Sequence, residues 1–123
     1  MRLVVQRVLS AKLTSGGTTV SQIERGLMVL CGITHTDNEL DVDYLVPKLL
    51  KTKLWDSADG LPWKASAVEL GFQILLVSQF TLYHQFKGTR PDFHDAATHE
   101  EAKTLYTLFL NRLEAEYKKM RSD

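Results

Sequence analysis

The sequence predicts an α/β fold with a mostly antiparallel or mixed sheet and helices on one side. Three observations carry this. Short β-branched runs separated by glycine turns fill the first third of the chain. Two capping-box patterns, Thr36-Asp37-Asn38-Glu39 and Thr98-His99-Glu100-Glu101, each open a helical stripe. The resulting order is strands, helix, strands, helix, without the regular alternation that a parallel βαβ sheet requires.

Leu3-Val4-Val5-Gln6-Arg7-Val8-Leu9 is a β-branched strand that stops at Ser10 and continues past a bend as Ala11 to Thr14. Ser15-Gly16-Gly17 is a hairpin turn, because glycine adopts positive φ without a Cβ clash. Thr18 to Ile23 returns, Glu24-Arg25-Gly26 turns again, and Leu27 to Thr34 is apolar on both faces, which predicts a central strand. Thr36 as N-cap then opens a helix whose stripe is Leu40, Tyr44, Leu45, Leu49 and Leu50, with a kink or restart expected at Pro47. Leu54-Trp55 begins a short strand, Asp56 to Pro62 is turn chemistry, and Trp63 to Leu70 fits either helix or strand. Phe72 to Tyr83 is the strongest strand pattern, and Gly88 to Ala97 reads as a loop. After Thr98, the residues Ala102, Leu105, Tyr106, Phe109, Leu113, Tyr117 and Met120 recur at three- and four-residue steps, which is a long amphipathic helix.

Composition excludes several function classes. The chain has 123 residues, the size of one domain. Its 44% hydrophobic content is globular, and 15 basic against 15 acidic residues leave no net charge for a broad nucleic-acid coat. Cys31 is the one cysteine, so neither an internal disulfide nor a cysteine zinc site can form, and its apolar run predicts a buried inert thiol. No signal peptide or membrane span is visible, so a cytoplasmic protein without a membrane partner is expected. His35, His84, His94 and His99 form no zinc-binding pattern, and neither a metal nor a cofactor is expected. His94-Asp95 reads as a solvated loop pair.

Ser78-Gln79-Phe80-Thr81 is the stretch with chemical interest, because polar groups end an otherwise apolar strand. Two readings fit. The strand leaves the core there with its hydroxyls bonded to local backbone, or hydroxyl and amide line a pocket rim with Phe80 as its apolar wall. Lys87 and Arg90 follow within one loop, either solvated or holding a phosphate. Gln6-Arg7 places a guanidinium on the first strand, where an exposed edge is the plain explanation.

These segments resemble the D-aminoacyl-tRNA deacylase family. The matching pieces are Val5-Gln6-Arg7-Val8, the run from Gly26 to Thr34, Val77-Ser78-Gln79-Phe80-Thr81-Leu82 and Lys87-Gly88-Thr89-Arg90-Pro91-Asp92-Phe93, in order over nearly the whole chain. Asp92-Phe93-His94 resembles the eukaryotic members. The resemblance implies two packed mixed or antiparallel β-sheets with helices covering one side. It also implies a homodimer with active sites at the interface, and hydrolysis of the ester in D-aminoacyl-tRNA or glycyl-tRNA. By the same resemblance Thr81 and Ser78 are the catalytic candidates. Gln79, Phe80, Gln6, Arg7, Lys87 and Arg90 are the substrate-binding candidates, with Phe80 beside the terminal adenine and Arg7 at the pocket floor. The family's C-terminal Gly-Pro segment does not occur in these residues, since Pro47, Pro62 and Pro91 do not follow glycine. The expectation is therefore a single domain over 1–123 with the C-terminal strands missing. The alternatives are a non-catalytic nucleic-acid-binding module of the same fold, acting in DNA replication, and an interaction domain that has lost its site.

Overall fold

In the computed structural model, which describes residues 1–122 and leaves Asp123 outside the described residues, the apolar runs become nine short strands and three helices. They are β1 (Arg2–Val8), β2 (Ala11–Ser15), β3 (Thr18–Ile23), β4 (Gly26–Gly32), α1 (Glu39–Lys51), β5 (Lys53–Trp55), β6 (Ala65–Ser66), α2 (Ala67–Leu70), β7 (Gln73–Ser78), β8 (Gln85–Lys87), β9 (Arg90–Asp92) and α3 (His99–Ser122). A 3₁₀ turn at Phe80–Leu82 follows β7.

The frame is a mixed three-stranded sheet in which β4 lies between β1, antiparallel to it, and β7, parallel to it. The doubly apolar pattern of Leu27 to Thr34 therefore marks the central strand, as expected. Leu27, Val29 and Cys31 of β4 are fully buried on one face. Their register partners Leu3 and Val5 on β1, and Ile74 and Leu76 on β7, share that face. Val42, Val46 and Leu50 of α1 and Phe109 and Leu113 of α3 close over it in one core cluster. Each fully buried Leu, Val or Phe contributes about 1.5–3 kcal/mol relative to an exposed side chain. The remaining strands pair as three two-stranded sheets, β2 with β3, β5 with β6 and β8 with β9.

Several local expectations are corrected. The N-cap of α1 is Asn38, not Thr36. The Asn38 side chain accepts from the Leu40 amide at 2.9 Å, and Asp41 accepts from the Asn38 amide at 2.9 Å. Thr34 to Asp37 instead forms a separate turn, with the Asp37 amide donating to the Thr34 carbonyl at 3.1 Å and the Asp37 carboxylate accepting from the Thr34 amide, so the helix begins after it. The buried face of α1 is Val42, Val46, Leu49 and Leu50, whereas Leu40 and Tyr44 are exposed. Pro47 lies inside this one continuous helix. Buried side chains before and after it anchor both halves in the same core, and that packing offsets the missing backbone bond. Trp63 to Leu70 resolves into β6 and the short α2, opened by a capping box of Ser66 and Glu69. The segment read as a loop from Gly88 begins inside a hairpin, since β8 and β9 pair around Gly88 at φ +64°. The second capping box holds: the Glu101 carboxylate accepts from the Thr98 amide, and the Glu101 amide donates to the Thr98 hydroxyl.

Candidate active site

The strand pattern from Phe72 to Tyr83 breaks at Ser78, and that break shapes the candidate site. Ser78 is the last residue of β7 and pairs with Cys31. The Gln79 amide makes one further bond to the Cys31 carbonyl at 2.8 Å. The chain then curls, with the Leu82 amide donating to the Gln79 carbonyl at 3.3 Å and the Tyr83 amide to the Phe80 carbonyl at 3.0 Å. The curl requires Gly32 opposite, because a Cβ there would lie 2.7 Å from Leu82 Cβ. Arg2 pins the far end of the turn. Its Nη1 donates to the Leu82 carbonyl at 2.8 Å, and its guanidinium stacks 4.3 Å from the ring centroid of the buried Tyr83.

A straight strand would point Gln79 and Thr81 along one face about 7 Å apart. The turn closes them instead: Gln79 Nε2 donates to Thr81 Oγ1 at 2.5 Å. Accepting from an amide leaves the Thr81 hydroxyl proton free to donate elsewhere. The neighbouring imidazole does not act as its base, since His84 Nδ1 meets the Thr81 carbonyl at 2.8 Å rather than the hydroxyl. Phe80 is 57% exposed at the crest of the turn. Cys31 lies beneath as a fully buried thiol, and burial pushes its pKa up to about 11. It is a packing residue, in line with its apolar sequence context.

Lys87 and Arg90 lie directly opposite each other in the β8–β9 hairpin, both exposed. Like charges facing across a strand pair repel unless an anion lies between them. Lys87 Nζ is 3.6 Å from Asp92, which relieves part of that repulsion. Gln6 and Arg7 are placed elsewhere. Arg7 pairs with Leu27 and Ser78 with Cys31, so four residues of β4, about 13 Å, separate them within one chain. Arg7 instead donates to the Leu54 carbonyl at 2.7 Å and lies over Trp63. Gln6 is exposed opposite Met28. A groove of about 440 Å³ is lined by Ile23, Gln73, Ile74, Leu113 and Tyr117, near the start of β7 and away from Thr81.

Two residues that the sequence reading left unassigned belong to the surroundings of this turn. Phe93 packs edge-on against Phe80, with ring centroids 5.3 Å apart. His35 bonds the carbonyl of the adjacent His94. Neither has a local pattern that marks it, because the contacts cross 13 and 59 positions of chain.

A family model described as D-Tyr-tRNA(Tyr) deacylase matches residues 4–122. A D-aminoacyl-tRNA deacylase of Yarrowia lipolytica is 46% identical over 117 residues, covering 94% of this chain and 76% of that protein. One from Drosophila melanogaster is 48% identical over 117 residues, covering 95% and 73%. Among solved structures, one described as c-Myc DNA Unwinding Element Binding Protein superposes with a TM-score of 0.91 at 40% identity, covering 95% of this chain and 78% of that one.

Proposed function

Because this chain belongs to the D-Tyr-tRNA(Tyr) deacylase family, we propose that it hydrolyses the ester of D-aminoacyl-tRNA and releases free D-amino acid and tRNA. The observation that carries the reading is the 3₁₀ turn, which joins an exposed aromatic ring to a hydroxyl whose proton is free to donate. An aminoacyl ester is already activated, so donors aimed at the developing oxyanion accelerate it substantially. In this reading Phe80 packs on the terminal adenine, and Thr81 donates to the carbonyl oxygen of the ester. Gln79 holds the Thr81 hydroxyl in place, and Ser78 lines the rim. Water adds to the carbonyl carbon, guided by the ribose hydroxyl beside the ester. The bond to the ribose oxygen then breaks, and that oxygen takes up the proton that the attacking water gives up. No nucleophilic side chain is invoked, since Thr81 has an amide rather than a base as its partner.

The test is deacylation of D- and L-tyrosyl-tRNA. Release of D-tyrosine well above that of L-tyrosine supports the reading, and equal or absent release rejects it. The similar structure described as a DNA-unwinding-element binding protein motivates the second reading, a non-catalytic nucleic-acid module. Zero net charge weighs against that one. The two readings differ in salt dependence. Each released counterion contributes a log–log slope of about −0.7 to −0.9. With Lys87 and Arg90 as the main contacts, the expected slope of tRNA affinity is about −1.5. A slope on the order of −10 would favour the nucleic-acid module.

The remaining parts of the reading are a homodimer, glycyl-tRNA as a further substrate and a cytoplasmic setting. Val4 and Phe86 are exposed apolar residues that an interface would cover, and light scattering measures the mass directly. Among the described residues no helix is long and apolar enough to cross a membrane.

A further inference from the structure

Phe93 braces Phe80, and Phe93 lies in the 93–98 segment that joins β9 to α3. Backbone bonds tie the far half of this segment to the end of β4. Thr34 and Ala96 form an antiparallel bridge, the Ala97 amide donates to the Ile33 carbonyl at 2.9 Å, and the Thr34 hydroxyl donates to the Asp95 carbonyl at 2.5 Å. Nearer Phe93 the tie is His35. Its Nε2 lies 3.0 Å from the His94 carbonyl, and its Nδ1 lies 3.2 Å from the Glu101 carboxylate. A carbonyl and a carboxylate can only accept. An imidazole facing two acceptors satisfies both only when both nitrogens carry protons.

We propose that His35 is a positioning residue: as the imidazolium it clasps the 93–98 segment to α3 and so seats Phe93 against Phe80. The deacylase reading enters this inference only in what Phe80 contacts; the clasp itself stands apart from it.

The groups around His35 are mostly acidic. Glu101 faces it from α3 and Asp95 acts on it from within the segment, while Asp92, at the end of β9, bonds His94 rather than His35. The His94 ring sits between those two aspartates, and Lys87 approaches Asp92 from β8. Asp37, on the chain just after His35, is taken by the Met1 amino group at 2.6 Å. The His94 carbonyl first, and then Glu101, raise the His35 pKa above its ordinary value. Asp92 is held down to about 2, chiefly by the His94 ring, so it stays a carboxylate at any working pH. The sign follows from the raised value. The clasp is whole below the ordinary imidazole range and is lost as pH rises through the elevated His35 pKa.

The experiment follows the ring resonances of Phe80 and Phe93 and the His35 imidazole by NMR in the full chain between about pH 5 and 8.5. The KM for D-tyrosyl-tRNA is measured in parallel. In the parent, the Phe80 and Phe93 signals are expected to shift with the His35 midpoint. KM should rise about two- to fivefold over that range, the scale an exposed charge-assisted contact supports, with a smaller change in kcat. His35→Gln should flatten both profiles. Glu101→Gln keeps an acceptor for the Thr98 amide and should lower the His35 midpoint. Phe80 signals that ignore the His35 titration would overturn the proposal, as would a His35→Gln profile equal to the parent's. Should the chain release no D-tyrosine, the deacylase reading fails while the ring titration still decides the clasp.

Discussion

Thr81→Ala is expected to lower the turnover of D-tyrosyl-tRNA by about 10²-fold, the scale for removing one oxyanion donor, with a small change in KM. The turn leaves the Thr81 hydroxyl accepting from Gln79 and free to donate, so as the proposed oxyanion donor it would act in the transition state, and its loss would appear in kcat. Phe80→Ala should do the opposite. Loss of one base-stacking surface costs about 1–3 kcal/mol, which appears mainly as a KM about 5- to 150-fold higher. Phe80 is exposed, and its removal leaves the sheet core untouched, so both variants should melt close to the parent. Unchanged kinetics in both, with normal melting, would remove the Ser78–Thr81 turn from consideration as the active site.

Gly26→Ala is expected to destabilise the fold by about 3 kcal/mol, the upper end of overpacking costs. A Cβ at Gly26 would lie 1.8 Å from the Gln73 carbonyl oxygen and 2.9 Å from its amide nitrogen. These are backbone atoms at the start of β7, so the clash cannot be relieved by a side-chain rotation. Relief would require β4 and β7 to separate at the end where their parallel ladder begins. In a domain of this size the cost corresponds to a melting temperature lower by roughly 10 °C. Val20→Ala is the control: Val20 is 62% exposed, and its loss should stay within about 0.5 kcal/mol. Equal melting of the two variants by calorimetry would show that the strands part more easily than their packing implies.

The local patterns were most legible where one element carries its own signal. The α3 stripe from Ala102 to Met120, the Thr98–Glu101 capping box, the hairpin at Gly16-Gly17 and the centrality of Leu27 to Thr34 each depend on residues a few positions apart, and each appears as read. The start of α1 departs from the local pattern, since Asn38 rather than Thr36 caps the helix. Asp37, between the two, is engaged by Met1, a contact across 36 positions that no local pattern reveals. The 3₁₀ turn was hidden for a related reason. Phe80 to Leu82 has the composition of a strand, and the curl depends on the space that Gly32 leaves on a neighbouring strand.

The site divides along the same line. Residue chemistry along the chain is enough to mark Ser78 to Thr81 as polar groups closing an apolar strand, to set Cys31 aside as a buried thiol and to exclude a broad cationic surface. Sequence order holds no information on which of the candidate residues meet. Hydrogen bonds of about 3 Å and ring contacts act over a few ångströms, whereas the partners are brought together by strand register and helix docking. Thus Gln79 reaches Thr81 through the turn, Phe93 reaches Phe80 from the segment after the following hairpin, and Arg7 goes to Leu54 and Trp63 because its register on β4 lies four residues from that of Ser78.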